Sequence, residues 1–317
     1  MITLPSENDT FAQMKITAMK ILFVPALCIA LLAGCGNSNE SARETARLEK
    51  ALQENPGRQN ANALIDAYIS ESQEVKDKSK QEALFEKALQ VALDQKVYGR
   101  AMGILQELLL DYPHQTKTVQ RLAQISQIFR DMKRDNANAV LIAAMREKYP
   151  DNPTVKELTS SGNISSESSE TLLTNLGTKM FNDSLMQLEK PVAREYVDAC
   201  EAYALVMQDD PSGAEYLHKG AETARSLQTL DKALFLYDWI IKKYPEHPRA
   251  AQSLFLKAFT LDNDLNQFEE AKKLYEEFLQ KYPKNEFAPS AQFLLDNLGK
   301  SDEELLESLQ QRSKEEN

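Results

Sequence analysis

Glycine is scarce in this 317-residue chain, ten in all, and tryptophan occurs once. So few glycines leave no Gly-rich phosphate loop and few positions free for left-handed turns. A single tryptophan, Trp239, is too few for the stacking platforms of a sugar-capturing surface, and its place in a helical pattern reads as core. There are three histidines, His114, His218 and His247, and none has a second His or a Cys at metal-ligand spacing. Each reads as a surface or cap residue. Cysteine is as rare: Cys28 lies in an N-terminal apolar run and Cys35 directly after it, which leaves Cys200 alone in the body. One cysteine cannot close an internal disulfide, so packing must hold the fold. Cys200, beside Ala199 and Ala202, reads as a small core residue. Positive charge is also short. With 37 Lys and Arg against 48 Asp and Glu, the net charge is −11, which makes nucleic acid and anionic lipid poor partners. No serine-nucleophile motif occurs. Asp262-x-Asp264-x-Asn266 starts like a calcium loop, but Gln267 stands where glycine is required and Lys273 where the closing glutamate belongs. No catalytic residue, metal site or cofactor is expected.

What the chain does have is a unit written twice. Asp231 to Pro245 reads DKALFLYDWIIKKYP, and Glu269 to Pro283 reads EEAKKLYEEFLQKYP. Ala233, Tyr237 and Ile240, and likewise Ala271, Tyr275 and Phe278, fall at i, i+4, i+7, one face of a helix. The proline then stops the helix and drives the residue before it out of the α region. A second helical pattern precedes each copy: Leu217, Ala221, Ala224, then Leu254, Ala258, Leu261. Helix A, turn, helix B and proline repeat at a period near 38, which predicts a helical solenoid. The unit resembles a tetratricopeptide repeat, with Ala233, Tyr237, Ile240 and Pro245 at that family's small, apolar and terminal-proline positions. The resemblance is strong over about 211–299. It implies an all-α, right-handed TPR-like superhelix whose A helices line a concave, partner-binding side. On that side it places Tyr216 and Lys219 of one helix A, and Ser253 and Lys257 of the next. The turn Asp262 to Gln267 is longer than the family's usual one.

The N-terminus reads as an export signal. Lys15 and Lys20 precede an apolar run from Ile21 to Leu32, too short to span a bilayer, and Leu32-Ala33-Gly34-Cys35 follows. Those four residues resemble the lipobox of bacterial lipoproteins, which implies cleavage after residue 34 and acylation of Cys35. Gly36 replaces the aspartate that retains such proteins in the inner membrane, which implies the outer membrane. Residues 1–13, with Glu7 and Asp9, do not read as the basic start of a signal, so Met14 and Met19 are alternative starts.

The expected organisation is a signal at 1–34, a lipidated tether at 35–41, a degenerate array at 42–158, a Ser-rich stretch at 159–170, the strong array at 171–299, and a cap and tail at 300–317. In the first array Ala101, Leu105, Leu108 and Pro113 repeat the later spacing. The next unit, ending at Pro150, carries Asn138 at the small position. Thr159 to Glu170 has six serines around one apolar residue, Ile164, and cannot bury itself. It either links two arrays or forms a long loop within one superhelix. Near the end, Gly299 reads as a helix terminator. Ser301 and Glu304 read as a capping box for a short helix carrying Leu305, Leu306 and Leu309.

These features imply a non-catalytic, lipid-anchored periplasmic scaffold for envelope proteins or peptides. The wording is similar both to the TPR lipoprotein of the β-barrel assembly machinery and to the periplasmic TPR coordinator of the Tol–Pal system. The alternative is a helical lipoprotein that captures carbohydrate or another polymer.

Overall fold

Four times in the chain a tyrosine before a proline ends a helix in the same backbone conformation. Tyr112, Tyr149, Tyr244 and Tyr282 have φ between −129° and −126° and ψ between 50° and 58°. Proline forbids its predecessor the α region, so each helix B stops where the sequence says it must. The A–B turns repeat as closely. Lys96, Lys133, Gln228 and Asn266 all sit in the left-handed region, with φ from 53° to 59°. In three of these turns the next N–H reaches back five residues: Val97 to Ala92 O at 2.8 Å, Arg134 to Phe129 O at 2.8 Å, and Thr229 to Ala224 O at 2.9 Å. That bond satisfies a carbonyl the helix end would otherwise leave bare.

The computed structural model describes residues 37–160, 165–182, 187–300 and residue 304. Among them are fourteen α-helices: α1 Asn37–Glu54, α2 Arg58–Glu74, α3 Lys78–Asp94, α4 Tyr98–Asp111, α5 Gln115–Asp131, α6 Asp135–Lys148, α7 Pro153–Ser160, α8 Ser169–Lys179, α9 Lys190–Val206, α10 Ser212–Ser226, α11 Leu230–Lys243, α12 Pro248–Phe259, α13 Phe268–Lys281 and α14 Ala288–Asp296. A two-stranded antiparallel hairpin, β1 Phe181–Asn182 and β2 Gln187–Leu188, joins α8 to α9. Consecutive helices pack on one another along the chain, so the fold is an all-α, TPR-like solenoid. Helix α1 already runs at Asn37, so the stretch expected as a tether is helical from there. Cys35, the signal, Ser301, Leu305, Leu306 and Leu309 lie outside the described residues. Gly299 does take a positive φ, 74°, at the end of α14.

The long turn of the last full repeat has a definite cause. Helix α12 continues into a π-helical turn, Thr260–Asp264. The Leu265 N–H bonds Thr260 O at 3.1 Å, and the closing bond, Gln267 to Leu261 O at 2.7 Å, spans six residues instead of five. Asp262 and Asp264 face inward to protein partners: the Tyr275 hydroxyl donates to Asp262 at 3.3 Å, and Arg225 Nε donates to Asp264 at 2.6 Å. The aspartates pin the extra residue in place.

Ala101, Ala233 and Ala271 are fully buried, as are Leu105, Leu108, Tyr237, Ile240, Tyr275 and Phe278. Each large side chain so buried contributes about 1.5–3 kcal/mol. In the unit ending at Pro150, Asn138 is the fourth residue of α6, the place that Ala101, Ala233 and Ala271 hold in their helices, as its spacing reads. Half-buried Asn138 accepts a hydrogen bond from the Ser126 hydroxyl at 2.7 Å, and Ala137 beside it is buried. A polar residue is tolerated because the facing helix A brings a donor.

The core does not divide at the Ser-rich stretch. One continuous apolar cluster runs from Leu64 to Ile240, and α6 packs directly on α8 and α9. The serines are held through their backbone: Arg146 donates to Ser165 O at 2.8 Å and Glu167 O at 2.6 Å, and Glu147 accepts from the Ser169 N–H at 2.8 Å. The break in the core comes later, between α11 and α12, where a second cluster spans Ala251 to Ala291. At the centre lies α9, buried on nearly every side from Ala199 to Val206 and touching α4, α6, α8 and α10. A helix packed on several neighbours at once belongs inside a fold.

Candidate partner-binding groove

Helices α8 and α10 are both packed on α9, and an open groove of about 470 Å³ runs between them. Leu173 and Gly177 of α8, Tyr196 of α9, and Tyr216 and Lys219 of α10 line it, with Met180 and Leu188 at the hairpin end. Gly177 is needed for the floor. A Cβ there would stand 3.1 Å from the Tyr196 ring, tighter than ordinary contact, so the missing side chain lets the ring lie against α8.

Tyr216 is half-buried. Its ring meets Tyr203 edge-on at 4.9 Å between centroids, and the Lys219 ammonium sits 5.2 Å from its centroid. The Tyr203 hydroxyl is itself held, donating to Glu170 at 3.1 Å and lying 2.7 Å from the Ser212 hydroxyl. Burial, followed by the nearby Glu170 charge, raises the Tyr216 phenol above its ordinary range, so it stays protonated. Lys219 makes no ion pair with any described residue.

The hydroxyls along the rim point away from a ligand. Thr178 donates to Thr174 O at 3.0 Å, Thr223 to Lys219 O at 2.8 Å, and Ser226 to Glu222 O at 2.9 Å. Each bond runs one turn back along its own helix and engages the hydroxyl proton. The groove therefore offers apolar surface, lone pairs, the Lys219 cation and, at its edge, the exposed Glu222 carboxylate.

Of the four residues expected to touch a partner, the structure brings Tyr216 and Lys219 together and separates the other two. Ser253 is 0 % exposed, and its hydroxyl has no hydrogen-bond partner, so a surface role for it is corrected. The reason is local packing: α12 rests directly on α10 and α11, which closes the position that stays open between α8 and α10. Lys257 turns to α11 and pairs with Asp238 at 2.6 Å, with its side chain 20 % exposed. Sequence reasoning missed the α8 and α9 contributions, Leu173, Gly177 and Tyr196. A lone glycine inside a helical pattern was the available signal, since such a glycine marks a close approach.

The histidines divide. His247 caps α12, its Nδ1 accepting from the Arg249 N–H at 3.2 Å, and exposed His114 lies 3.3 Å from Glu82. His218 does not fit the expected surface or cap role. It is 3 % exposed beside Tyr237, its Nδ1 has no partner, and burial lowers its pKa to about 4, assisted by the Arg249 charge. Cys200 is buried as expected, and burial pushes its thiol far up. Among the described residues no group of three or more His, Cys, Asp or Glu could hold a metal, and no helix is long and apolar enough to cross a membrane.

A tetratricopeptide-repeat family model matches residues 252–285, which hold most of α12, the π-turn and α13. No curated protein matches the chain. The chain thus carries a tetratricopeptide repeat, a module that mediates contacts between proteins.

Proposed function

We propose that this chain is a lipid-anchored, non-catalytic scaffold of the bacterial envelope that takes a segment of a partner protein into the α8–α10 groove. The observation that carries the binding half is the groove's chemistry: aromatic surface from Tyr196 and Tyr216, rim hydroxyls bonded back to their own helices, and the Lys219 ammonium, which makes no ion pair with any described residue. A protein segment with an apolar anchor beside a carboxylate meets those groups. A sugar polymer carries many hydroxyls that each need a donor or an acceptor, and this groove has few donors to give, which favours the protein reading over carbohydrate capture. The anchor half rests on Leu32-Ala33-Gly34-Cys35 behind a basic and apolar leader. Several acyl chains on Cys35, at about 0.8 kcal/mol for each buried CH₂, hold a protein on a membrane without a spanning helix. By the resemblance to lipoproteins, Gly36 in place of the inner-membrane retention aspartate supports outer-membrane attachment, and a periplasm-facing body is part of the reading proposed.

Capture from crosslinked envelopes tests the groove. Tyr216→Ala combined with Lys219→Glu is expected to lose the partner, while Lys257→Glu, whose lysine pairs within the fold, keeps it. Equal recovery from both variants refutes this site. Retention by a glycan panel that the double variant abolishes favours the carbohydrate reading instead.

A further inference from the structure

The groove uses one side of α9; the opposite side carries three carboxylates in a row. Glu195, Asp198 and Glu201 stand at three-residue spacing and face helices from both halves of the chain. Glu201, 2 % exposed, accepts from Gln106 Nε2 of α4 at 2.8 Å and from Lys232 Nζ of α11 at 2.8 and 3.1 Å. Glu195 caps α6, accepting from the Asn136 N–H at 2.9 Å and its side-chain amide at 3.0 Å. Asp198 has the poorest partner. Arg134 Nε, at the start of α6, is 3.5 Å away, and that buried Nε makes no hydrogen bond. Two cations, Arg134 and Lys232, serve three carboxylates.

The same seam ties residues far apart in sequence. Gln208, just past α9, donates to Leu109 O of α4 at 3.3 Å, and Lys243 of α11 donates to Leu110 O at 3.0 Å. In a simple solenoid each repeat meets only its neighbours. Here α4 reaches past α6 to meet α9 and the end of α11.

We propose that this α4–α6–α9–α11 seam is a proton-controlled latch, closed tightly when the carboxylate stripe of α9 carries one shared-out proton on Asp198 and loosened when that proton leaves. Glu201 is buried and Asp198 and Glu195 are half-buried, so three carboxylates share one stripe with two cations, and Asp198, with Arg134 Nε at 3.5 Å and no hydrogen bond from it, is the charge partly withdrawn from water with the poorest compensation. Protonating Asp198 removes it and gives the residue a hydrogen to donate. Burial first, then the Glu201 charge, push the Asp198 carboxyl up to about 7, against the pull of Arg134 and Lys232 and with a smaller push from Glu195. Gln106, the α4 group on the stripe, is uncharged and titrates nothing. Opened, the aspartate is an ordinary carboxylate near 3.8, so the closed seam holds the extra proton between those values. The seam therefore weakens as pH rises from about 4 to 7 and levels off above 7. Because Tyr196 on the same helix floors the groove, a looser seam also frees the helix that carries the binding floor.

Hydrogen exchange of the full chain, followed by mass spectrometry from pH 5 to 8 and corrected for intrinsic exchange, tests the latch. Protection of α9 and α4 peptides is expected to fall about tenfold per pH unit up to pH 7, the signature of one proton, and then to stay level. Peptides of α13 and α14, remote from the stripe, should stay flat. Asp198→Asn should abolish the fall. If that variant does not fold, Glu195→Gln serves in its place. It removes one repelling charge while keeping an acceptor for Asn136, and should move the levelling point to lower pH. Flat protection in the wild type, an unchanged slope in Asp198→Asn, or an unmoved levelling point in Glu195→Gln overturns the latch. The test uses no partner, so it stands apart from the groove reading.

Discussion

Removing the Arg121 side chain should weaken the first half of the solenoid more than any loss of a single surface charge. Arg121 sits on α5 at 2 % exposure, and its guanidinium meets four oxygens from two other helices. It reaches Glu82 at 2.5 Å and Glu86 at 2.7 Å on α3, and Leu108 O at 2.8 Å and Tyr112 O at 2.7 Å at the end of α4. The two carbonyls are among those that α4 cannot pair internally. Breaking a buried ion pair by deleting one partner costs about 3–5 kcal/mol. Glu82 keeps Lys117 at 2.9 Å, which places Arg121→Ala near the lower end, about 3 kcal/mol. At about 2–4 °C per kcal/mol for chains of this size, the melting temperature should fall by roughly 6–12 °C. Thermal and urea unfolding followed by circular dichroism at pH 7 measure the two quantities. Burial alone would raise the Glu82 carboxyl, but hydrogen bonds from Lys117 and Arg121 outweigh burial and hold it below the ordinary carboxylate range. The Glu82 contribution is therefore present above the unfolded pKa and fades as pH falls through the lowered one, so the penalty should shrink in acid. Glu82→Met together with Arg121→Met should cost less than the two single changes summed, because the pair leaves together. An Arg121→Ala midpoint within about 0.5 kcal/mol of wild type would show that the arginine is not the joint between α3, α4 and α5.

Two shorter predictions follow from the repeat and the leader. Ala271→Leu should overpack the α12–α13 contact and destabilise by about 1–3 kcal/mol, read as a lower urea midpoint; an unchanged midpoint would mean that the site has room. Cys35→Ser should abolish labelling by a metabolic fatty acid and leave an uncleaved or soluble species, whereas persistent labelling would place the acylation elsewhere.

The repeat skeleton was legible because it is written in local chemistry. Tyr-Pro pairs stop helices whatever surrounds them, and alanines at Ala233 and Ala271 can serve only a close contact. The A–B turns were harder to read. Lys96, Lys133, Gln228 and Asn266 adopt the left-handed conformation without a glycine to announce it, because the helix-end hydrogen bonds enforce it. What pairwise spacing could not show was the way distant helices meet. The Ser-rich stretch reads as a break, yet Arg146 and Glu147 fasten it to the end of α6, and the apolar core passes beneath it. Nothing in the spacing marks Arg121 or Glu201, and both are buried against side-chain partners 31 to 95 residues away. The groove was half legible: Tyr216 and Lys219 come from the helix-A pattern, while its floor comes from α9, which the repeat register does not describe.

Two titrations of opposite sign, of buried His218 and half-buried Asp198, should oppose one another in the acid stability of this fold. Neutral His218 is held at a pKa of about 4, against 6.5 when unfolded, by burial beside Tyr237, with Arg249 adding to the effect. Between those values the unfolded chain binds the proton and the folded one does not. Its contribution is present above pH 6.5 and is lost as pH falls towards 4, about 3 kcal/mol when complete. Asp198 behaves in the reverse sense. The folded state holds its proton up to about 7, so its contribution is largest in acid and is lost as pH rises. From pH 5 to 6.5, where ordinary carboxylates are ionised in both states, the two slopes oppose at about 1.4 kcal/mol per pH unit each. Wild-type urea midpoints should therefore be nearly flat across that window. Asp198→Asn should unmask stability that rises with pH. His218→Phe should unmask stability that falls, and the change is tolerable because Phe255 fills the matching position of α12 at 8 % exposure. If the wild type slopes as steeply as either variant, the two groups do not titrate against each other, and the opposed shifts of His218 and Asp198 are refuted.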